Sequence, residues 1–370
     1  MNICHTINDL SRGGAETHLL SLVKVQLQKG HKVSVLLLGR DLSNFFSLED
    51  DFKSLKINIF RLKGPKKLQG LNPISIIKAV NIFKKENFDI IHTHSPRSNL
   101  LTYVSLRLIT TQSKHIVSIH GKYGTYLQGN KLVDLFRSRF VSLLSKIWEK
   151  SDGVIVISES IKKWLFNINP KITPKVINYG IEIPLLENFI NNDKEFCIGF
   201  LGKLNQNKGI EDLLFAFHHL EEQNSITGKK LKLIIGGVGQ ETYLNRIQQK
   251  VNDKNIEFLG YVEDRKSFFK SLNLFVFPSY SEGLGLVLLE AMAYGVVTLT
   301  RNVSPMNHII KDQYNGYLFN SNEELINKVK IASLLSNSER KELLANGSKT
   351  IVNSYSIIQM YSSINHVYQN

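Results

Sequence analysis

Short runs of β-branched and other apolar residues alternate along the whole chain with longer segments of helical period. In the first half the apolar runs predict strands at 2–7, 32–38, 57–61, 90–93, 115–119, 154–157 and 176–177. In the second half they predict strands at 196–202, 232–236, 256–259, 274–277 and 296–300. Strands that alternate with helices in this way are typical of parallel βα units. The pattern therefore predicts an α/β protein with two doubly wound, Rossmann-like domains.

One stretch between the two series of strands has no sustained period. Residues 178–193 (NYGIEIPLLENFINND) combine glycine, proline, asparagine and acidic residues, a composition typical of a connection. We therefore expect an N-terminal domain at 1–180, a linker at 181–193 and a C-terminal domain at 194–353. Residues 354–370 have a helical apolar pattern and can cross back to brace the first domain.

Length and composition agree with this picture. The 370 residues suffice for two domains, and 42% hydrophobic with 21% charged residues is ordinary globular usage. Cys4 and Cys197 are too few for a disulfide framework, and each falls in the first predicted strand of its domain, where a small apolar side chain packs well. No unbroken apolar segment of about 18 residues occurs. We expect a cytoplasmic protein that is soluble or peripheral at the cytoplasmic face of a membrane.

The net charge of +14 is concentrated in one half of the chain. Residues 1–180 hold 27 Lys and Arg against 12 Asp and Glu, whereas residues 181–370 hold 19 against 20. Such an excess attracts nucleic acid or an anionic membrane surface, or is simply a solvated basic face. No zinc-finger spacing, RNP-like motif or long basic helix accompanies the charge, so we expect no nucleic acid partner. An anionic membrane surface stays open as a partner.

The segment 278–295 (PSYSEGLGLVLLEAMAYG) follows a predicted strand and combines two acids with two glycines. Gly283 and Gly285 let the backbone approach a ligand, and a helix that begins near Gly285 directs its unpaired N–H groups and positive dipole end to that point. We expect a diphosphate there. Glu282 precedes the helix, and Glu290 lies about 7.5 Å along its axis. The two acids would then bracket an extended ligand, with a sugar at one end and a ribose at the other.

A second basic element, 202–210 (GKLNQNKGI), lies at the carboxyl end of the first strand of the second domain. Lys203 and Lys208 flank a tight loop that opens a helix, so their ammonium groups can converge on phosphates. Positive charge there stabilises a departing nucleoside diphosphate, which is the role of a metal ion in other transferases. We therefore expect no metal and no other cofactor. Alone, two such lysines are typical of a solvated loop, and the acidic segment favours the binding role.

These segments together resemble the retaining nucleotide-sugar glycosyltransferases of family 4, also called group 1. The resemblance spans nearly the whole chain and implies the GT-B fold, in which two Rossmann-like domains face each other across a cleft. It is carried by SRGGAETH near the start, HTHSP at 92–96, SIHGKYG at 118–124, GKLNQNKG at 202–209, GGVGQE at 236–241, FLGYV at 258–262 and above all the Glu-x7-Glu element.

The resemblance also implies roles for individual residues. The first acid of the family's element, here Glu282, contacts the transferred sugar, and the second, here Glu290, holds the ribose. The implied catalytic residues are His120, Lys203, Lys208 and Glu282. The implied donor-binding residues are Gly13, Gly14, Lys203, Lys208, Gly237, Tyr261, Glu282, Gly283, Leu284, Gly285, Leu286 and Glu290. The histidine is placed beside the transferred sugar and is not assigned as a general base.

His92 and His94 alternate on a strand and share a face, which suggests metal ligands. No third ligand is evident, and we favour a packed or acceptor-side strand end.

One segment departs from the family pattern. RNVSPMNHII places Ser304, Pro305 and His308 where the family commonly has a Gly-Gly turn followed by Pro-Glu. This departure leaves the identity of the donor open.

The expected reaction is transfer of a hexose or acetamidohexose from a UDP- or GDP-sugar, with retention at the anomeric carbon. The expected acceptor is a glycan or a lipid-diphosphate-linked glycan in surface polysaccharide synthesis. Two alternatives remain at this point, a nucleotide-sugar epimerase of the same architecture and a protein that binds a sugar nucleotide without catalysis.

Overall fold

The computed structural model of the chain describes residues 1–39, 47–62, 71–123, 131–183, 194–223, 228–249, 251 and 253–370, with the backbone alone for 131–137. The chain forms two units. The first consists of Met1–Gly180 and Ile357–Asn370, and the second of Ile181–Ser356. Most of the expected linker, residues 184–193, lies outside the described residues.

The first unit is built on seven parallel strands. These are β1 Asn2–Ile7, β2 Lys32–Leu37, β3 Asn58–Arg61, β4 Ile90–Thr93, β5 Lys114–Ile119, β6 Gly153–Val156 and β7 Lys175–Val176. Their order in the sheet is β3-β2-β1-β4-β5-β6-β7. The connecting helices are α1 Gly14–Gln28, α2 Glu49–Ser54, α3 Pro73–Glu86, α4 Pro96–Arg107, α5 Lys131–Glu149 and α6 Glu159–Ile168. Asn72 and Ser95 cap α3 and α4, since each side chain accepts a hydrogen bond from a first-turn backbone N–H.

The second unit repeats the design with six parallel strands. These are β8 Glu195–Leu201, β9 Lys230–Gly236, β10 Ile256–Gly260, β11 Leu274–Phe277, β12 Val297–Arg301 and β13 Tyr317–Phe319, in the order β10-β9-β8-β11-β12-β13. The helices are α7 Ile210–Glu222, α8 Glu241–Gln249, α9 Arg265–Lys270, α10 Leu286–Ala293, α11 Met306–Ile309, α12 Asn322–Ser333 and α13 Asn337–Ser354. Stacked and edge-on phenylalanine rings, among them Phe200, Phe275 and Phe277, fill the sheet faces.

The two parallel sheets confirm the prediction of two doubly wound, Rossmann-like domains. Every predicted strand is present, with each end within two residues of its expected position. Strand β13 was not predicted, because its three residues are too few to show a period. No helix within the described ranges is both long and apolar enough to cross a membrane.

The last helix, α14 Ile357–Gln369, completes the core of the first unit. Its buried face consists of Ile357, Met360, Ile364 and Tyr368. These side chains pack in one cluster with residues from α1 and from the middle of the sheet, namely Ile3, Leu22, Val25, Ile90, Ile116, Ile155 and Ile177. The first unit is therefore made from both ends of the chain.

The two cysteines are buried and free, as predicted. Cys4 lies in β1 and Cys197 in β8. Burial raises the pKa of both thiols, which keeps them in the neutral form. They act as small apolar side chains of the two sheets.

Truncation of the buried face of α14 tests its contribution to the first unit. We expect Ile364→Ala to lower the free energy of unfolding by about 2 to 5 kcal/mol, because it removes most of a fully buried side chain. Ile358→Ala is the matched control on the same helix, since that side chain is 54% exposed. Urea-induced unfolding measures both, and equal losses in the two variants would contradict the packing role of α14.

Candidate active site

The strand order of the second unit fixes where its ligand site can form. Strands β8 and β11 are neighbours, and the chain leaves them in opposite directions across the sheet. Ligands of doubly wound folds bind at such a switch point, beyond the carboxyl ends of the strands. The basic loop 202–209 follows β8, and the acidic segment 278–285 follows β11. The two elements singled out in the sequence are therefore neighbours in space.

The two loops are in direct contact. Gly209 ends the basic loop with a φ of 66°, and a Cβ at this position would lie 2.3 Å from the carbonyl oxygen of Pro278. The amide of Tyr280 donates to the carbonyl of Asn207 at 2.9 Å. Glycine is required here both by the backbone conformation and by the close approach of the neighbouring loop. The contact fixes the position of each loop relative to the other.

An ion pair joins Lys208 to Glu282 across this contact. The ammonium donates to Oε1 of the carboxylate, and the side chains are only 19% and 13% exposed. The ammonium also lies 5.8 Å from the centroid of the Phe277 ring, at the end of β11. The structure thus brings together the second lysine and the first acid that the sequence singled out. A group that reaches this point meets one cation and one anion side by side.

The acidic segment leads into α10, as the sequence predicts. Gly285 precedes the helix with a φ of 88°, a left-handed conformation that favours glycine. No side chain within the described residues caps the first turn. Leu284 is buried, while Gly283 and Leu286 are half-buried. The start of α10 therefore offers backbone N–H groups and the positive end of the helix dipole beside the ion pair.

Glu290 is held by a partner that the sequence analysis missed. It is the fifth residue of α10, and its carboxylate accepts a hydrogen bond from Arg265, the first residue of α9. Burial raises the pKa of Glu290, while the neighbouring Arg265 acts in the opposite direction. Arg265 carries no motif signal, because its role arises from a contact between two helices that are 25 positions apart in the chain.

Lys203 lines a cavity of about 510 Å³ between the loop that follows β8 and the start of α8. The cavity is lined by Lys203, Leu204, Asn205, Gln206, Gln240, Thr242, Tyr243 and Arg246. Among the described residues, the hydroxyl of Tyr243 and Oδ1 of Asn205 are buried without a hydrogen-bond partner.

Gly237 and Tyr261 border the neighbouring strand ends. At Gly237 φ is 135°, and a Cβ would lie 1.8 Å from the carbonyl oxygen of Gly202. Packing of the two loops alone therefore requires glycine there, whatever its part in binding. Tyr261 follows β10 and is 36% exposed. The donor-binding roles of both residues stay predictions.

Arg301 clamps the acidic segment from the opposite side and was also missed. It ends β12, is 8% exposed, and donates from Nε to the carbonyl oxygen of Pro278 at 3.1 Å. Its guanidinium lies 4.1 Å from the ring centroid of Tyr280 and pairs with Asp212 of α7. The planar guanidinium makes these contacts at once, which an ammonium cannot do. Arg301 thus fixes the loop that carries Glu282.

The first unit has an equivalent switch point between β1 and β4. Gly13 and Gly14 follow β1 at the start of α1, as predicted. The carboxylate of Glu16 folds back over this turn, so that a Cβ on Gly13 would lie 2.4 Å from Glu16 Oε2. An acidic side chain therefore already occupies the start of α1. Burial raises the pKa of Glu16 to about 7, its own backbone N–H opposes this, and Asp9 adds to it.

His120 lies just beyond β5 and is half-buried. Its Nδ1 is 2.6 Å from the hydroxyl of Tyr179, and its Nε2 is 3.1 Å from Nδ1 of His94. Burial lowers the pKa of His120 to about 3, so the ring is neutral at pH 7. Both ring nitrogens are therefore occupied by partners within the protein. Its role beside a sugar stays a prediction.

His92 and His94 are buried together with His5 of β1. The ligand atoms of the three lie within 4.8 Å of one another, which is the geometric condition for a metal site. Every ring nitrogen, however, already has a hydrogen-bond partner in the protein. Zinc ligands must converge at about 2.0 Å from the ion, which would break these bonds. The structure thus describes a packed, hydrogen-bonded strand end, and His5 is a third member of the cluster that the sequence analysis missed. The absence of a metal stays a prediction.

The two parallel, doubly wound sheets have the GT-B fold. The family profile for glycosyl transferases group 1 matches residues 186–350, and the profile for glycosyltransferase family 4 matches residues 12–183. The two matches lie on the two units and together cover most of the chain. The protein belongs to the family 4, group 1 glycosyltransferases.

Relatives agree with this assignment, and solved structures share the fold. The chain is 25% identical over 319 residues to the capsular polysaccharide biosynthesis glycosyltransferase CapM of Staphylococcus aureus, covering 80% of each chain. It is 26% identical over 360 residues to a Campylobacter jejuni N-acetylgalactosaminyltransferase, covering 94% of this chain and 93% of the relative. Among solved structures, HepE of Anabaena in complex with UDP matches with a TM-score of 0.81 at 16% identity, with full coverage of both chains.

Removal of the Arg301 clamp tests how the acidic segment is held. We expect Arg301→Ala to lower the free energy of unfolding by about 3 to 5 kcal/mol, because it leaves the half-buried Asp212 carboxylate without its cation. Arg246→Ala removes a more exposed Arg–Glu pair of the same unit and should cost less than about 1 kcal/mol. Urea-induced unfolding, with hydrogen exchange at β11 and β12, measures both. Similar small losses in the two variants would contradict the clamp.

The raised pKa of Glu16 predicts a pH dependence of stability in the neutral range. The native state holds this proton up to about pH 7, while an ordinary Glu loses it near 4.5. The stability contributed by the protonated side chain is therefore complete below pH 4.5 and is lost as the pH rises through 7. Carboxyl-detected NMR should give a midpoint near 7 for a resonance that Glu16→Gln removes. A midpoint near 4.5 would contradict the burial of this carboxyl.

Proposed function

We propose that the protein is a retaining glycosyltransferase that moves a hexose or acetamidohexose from a nucleoside diphosphate sugar to a glycan acceptor. The observation that carries the proposal is the Lys208–Glu282 ion pair beside the uncapped start of α10, at the switch point of the second sheet. A cation and free backbone N–H groups suit a diphosphate, and a carboxylate suits the hydroxyls of a sugar.

In the proposed reaction the departing diphosphate takes up the charge that develops when the glycosidic bond breaks. Lys208, Lys203 and the start of α10 stabilise this charge, which is the electrostatic task of a metal ion in other transferases. Reaction is therefore proposed to need no metal. Glu282 orients the sugar, His120 is its proposed neighbour, and Glu290 holds the ribose. The acceptor hydroxyl attacks from the face that the diphosphate leaves, and its proton passes to the leaving phosphate.

The proposed donor is a UDP- or GDP-sugar, and UDP has the more direct support. Among structures of the same fold, HepE is described with UDP, with UDP and glucose, and with UDP-glucose. Relatives act on undecaprenyl-diphosphate-linked glycans, among them an Escherichia coli transferase described as using UDP-Gal. We therefore propose a glycan or lipid-diphosphate-linked acceptor in surface polysaccharide synthesis. The basic excess of residues 1–180 supports docking at an anionic cytoplasmic membrane face.

A panel of nucleotide sugars tests the donor and the reaction together. A true donor at 100 Kd should stabilise the protein by about 2.7 kcal/mol, read as a thermal shift among UDP-, GDP-, ADP- and TDP-sugars. NMR of the product should show the anomeric configuration of the donor retained, and activity should survive EDTA. Conversion of the donor without an acceptor would indicate an epimerase instead. Flotation with anionic vesicles at low salt tests the membrane separately.

The role proposed for Lys208 has its own test. We expect Lys208→Met to lower kcat by about one to three orders of magnitude, because it removes one preorganised cation from the departing diphosphate. Lys254→Met, at an exposed position of the same unit, should leave kcat unchanged. Circular dichroism and thermal unfolding check that both variants are folded. Full activity in a folded Lys208→Met protein would remove the residue from the mechanism.

A further inference from the structure

A continuous file of hydrogen bonds runs through the interior of the first unit and ends at His120. From Tyr179 the contacts lead to His120 at 2.6 Å, from His120 to His94 at 3.1 Å, and from His94 to His5 at 2.9 Å. The last imidazole, through Nε2, lies 2.8 Å from Oε1 of Gln26 in α1. Apart from the half-buried His120, all of these side chains are buried.

The proton positions in this file follow from one atom. The amide oxygen of Gln26 only accepts, so Nε2 of His5 carries the hydrogen. A neutral imidazole has one donor and one acceptor nitrogen, so Nδ1 of His5 accepts from Nε2 of His94. The same step repeated places the hydrogen of His120 on Nε2 and leaves its Nδ1 to accept from the hydroxyl of Tyr179.

A second branch starts from the other end of the same amide. Nε2 of Gln26 donates to the hydroxyl of Tyr368 at 3.3 Å, and that hydroxyl donates to Nδ1 of His92 at 2.7 Å. His92 then carries its hydrogen on Nε2 and donates to Ser118 at 2.7 Å. Imidazoles and hydroxyls can reverse their direction together, whereas an amide has one end that donates and one that accepts. Gln26 is the member of this network that distinguishes the two directions.

We propose that Gln26 is a positioning residue that fixes the tautomer of His120 from about three hydrogen bonds away, through His5 and His94. The proton of His120 is held on Nε2, so Nδ1 stays a hydrogen-bond acceptor. It can accept a hydrogen bond from a hydroxyl, but it cannot bind a carbonyl or a phosphate oxygen, because these are acceptors too. In enzymes, a group that orients a histidine through its second nitrogen sets which role the first can play. The effect on sugar transfer rests on the proposed function, while the tautomer itself does not.

The chemical environment supports a file of neutral rings. Burial lowers the pKa of His5 to about 4 and keeps the pKa of His92 and His94 below the ordinary range. A protonated ring would have two N–H donors and no acceptor, so the alternation of donor and acceptor along the file would be interrupted. His18 stacks on Tyr179 with 4.2 Å between ring centroids and fixes the far end of the file.

The direct test is the tautomer of each histidine in the ligand-free protein, read from long-range ¹H–¹⁵N NMR of the imidazoles. In the wild type, His5, His94, His120 and His92 should all carry the hydrogen on Nε2. A His120 with the hydrogen on Nδ1 would overturn the proposal. Tyr179→Phe removes the hydroxyl at the other end of the file, and His120 should keep its tautomer there. Loss of the tautomer in that variant would assign control to Tyr179 instead.

Two substitutions at position 26 separate the acceptor from the donor end of the amide. Gln26→Leu removes both, so both tautomers of His120 should become populated. When its carboxyl is ionised and His5 is neutral, both of which NMR reads directly, Gln26→Glu supplies acceptors only. His120 should then keep its tautomer while His92 moves its hydrogen to Nδ1, because Tyr368 now donates to the carboxylate. An unchanged His120 in Gln26→Leu, or an unchanged His92 beside the ionised carboxyl in Gln26→Glu, would overturn the proposal. If a variant at this position does not fold, the wild-type and Tyr179→Phe spectra still decide.

Kinetics then connect the tautomer to transfer. Gln26→Leu should lower kcat about two- to tenfold, the population equivalent of one hydrogen bond, with the donor KM nearly unchanged, and Gln26→Glu should restore kcat. If Gln26→Leu populates both tautomers of His120 but keeps the full kcat, Gln26 fixes the tautomer as proposed, and His120 has no role in the reaction. An unchanged tautomer would reject the role of Gln26 whatever the activity.

Discussion

The ion pair between Lys208 and Glu282 holds the candidate site together. Removing two charges from water is costly, and it is offset here because the carboxylate and ammonium meet directly and their loops are locked by Gly209 and by the Tyr280 amide. In the proposed function, a diphosphate at the start of α10 would compete with Glu282 for Lys208, and its arrival would release the carboxylate for the hydroxyls of a sugar.

The sequence predicts the fold well because parallel strands buried on both faces leave a strong record of β-branched residues. The two glycine-containing loops at the ends of β8 and β11 could also be predicted, since their acids, lysines and glycines are close in the chain. The contacts of Arg265 and Arg301 could not be predicted. Each acts on a loop or helix more than 20 positions away, and nothing in its own neighbourhood marks it. The prediction missed the short strand β13, because three residues are too few to show a period.

Glycine in these motifs carries two kinds of information that the sequence cannot separate. Gly209 and Gly237 are needed because another loop passes within contact distance of a Cβ, and Gly285 is needed for its left-handed backbone alone. A glycine that loop packing requires can therefore also lie in a loop that positions a ligand. The histidines show the converse. His92 and His94 are recognisable as a pair on one strand face, but their partners His5 and Gln26 lie on a strand and a helix far away in the chain.

The position of α14 has a consequence for how the molecule is made. Its residues complete a core whose other members come from the first half of the chain, so the emerging N-terminal segment lacks part of its interior until synthesis has passed the whole second unit. Closing so long a loop is slow relative to local folding. The second unit can therefore complete its core before the first unit does, although the strands of the first unit are synthesised earlier.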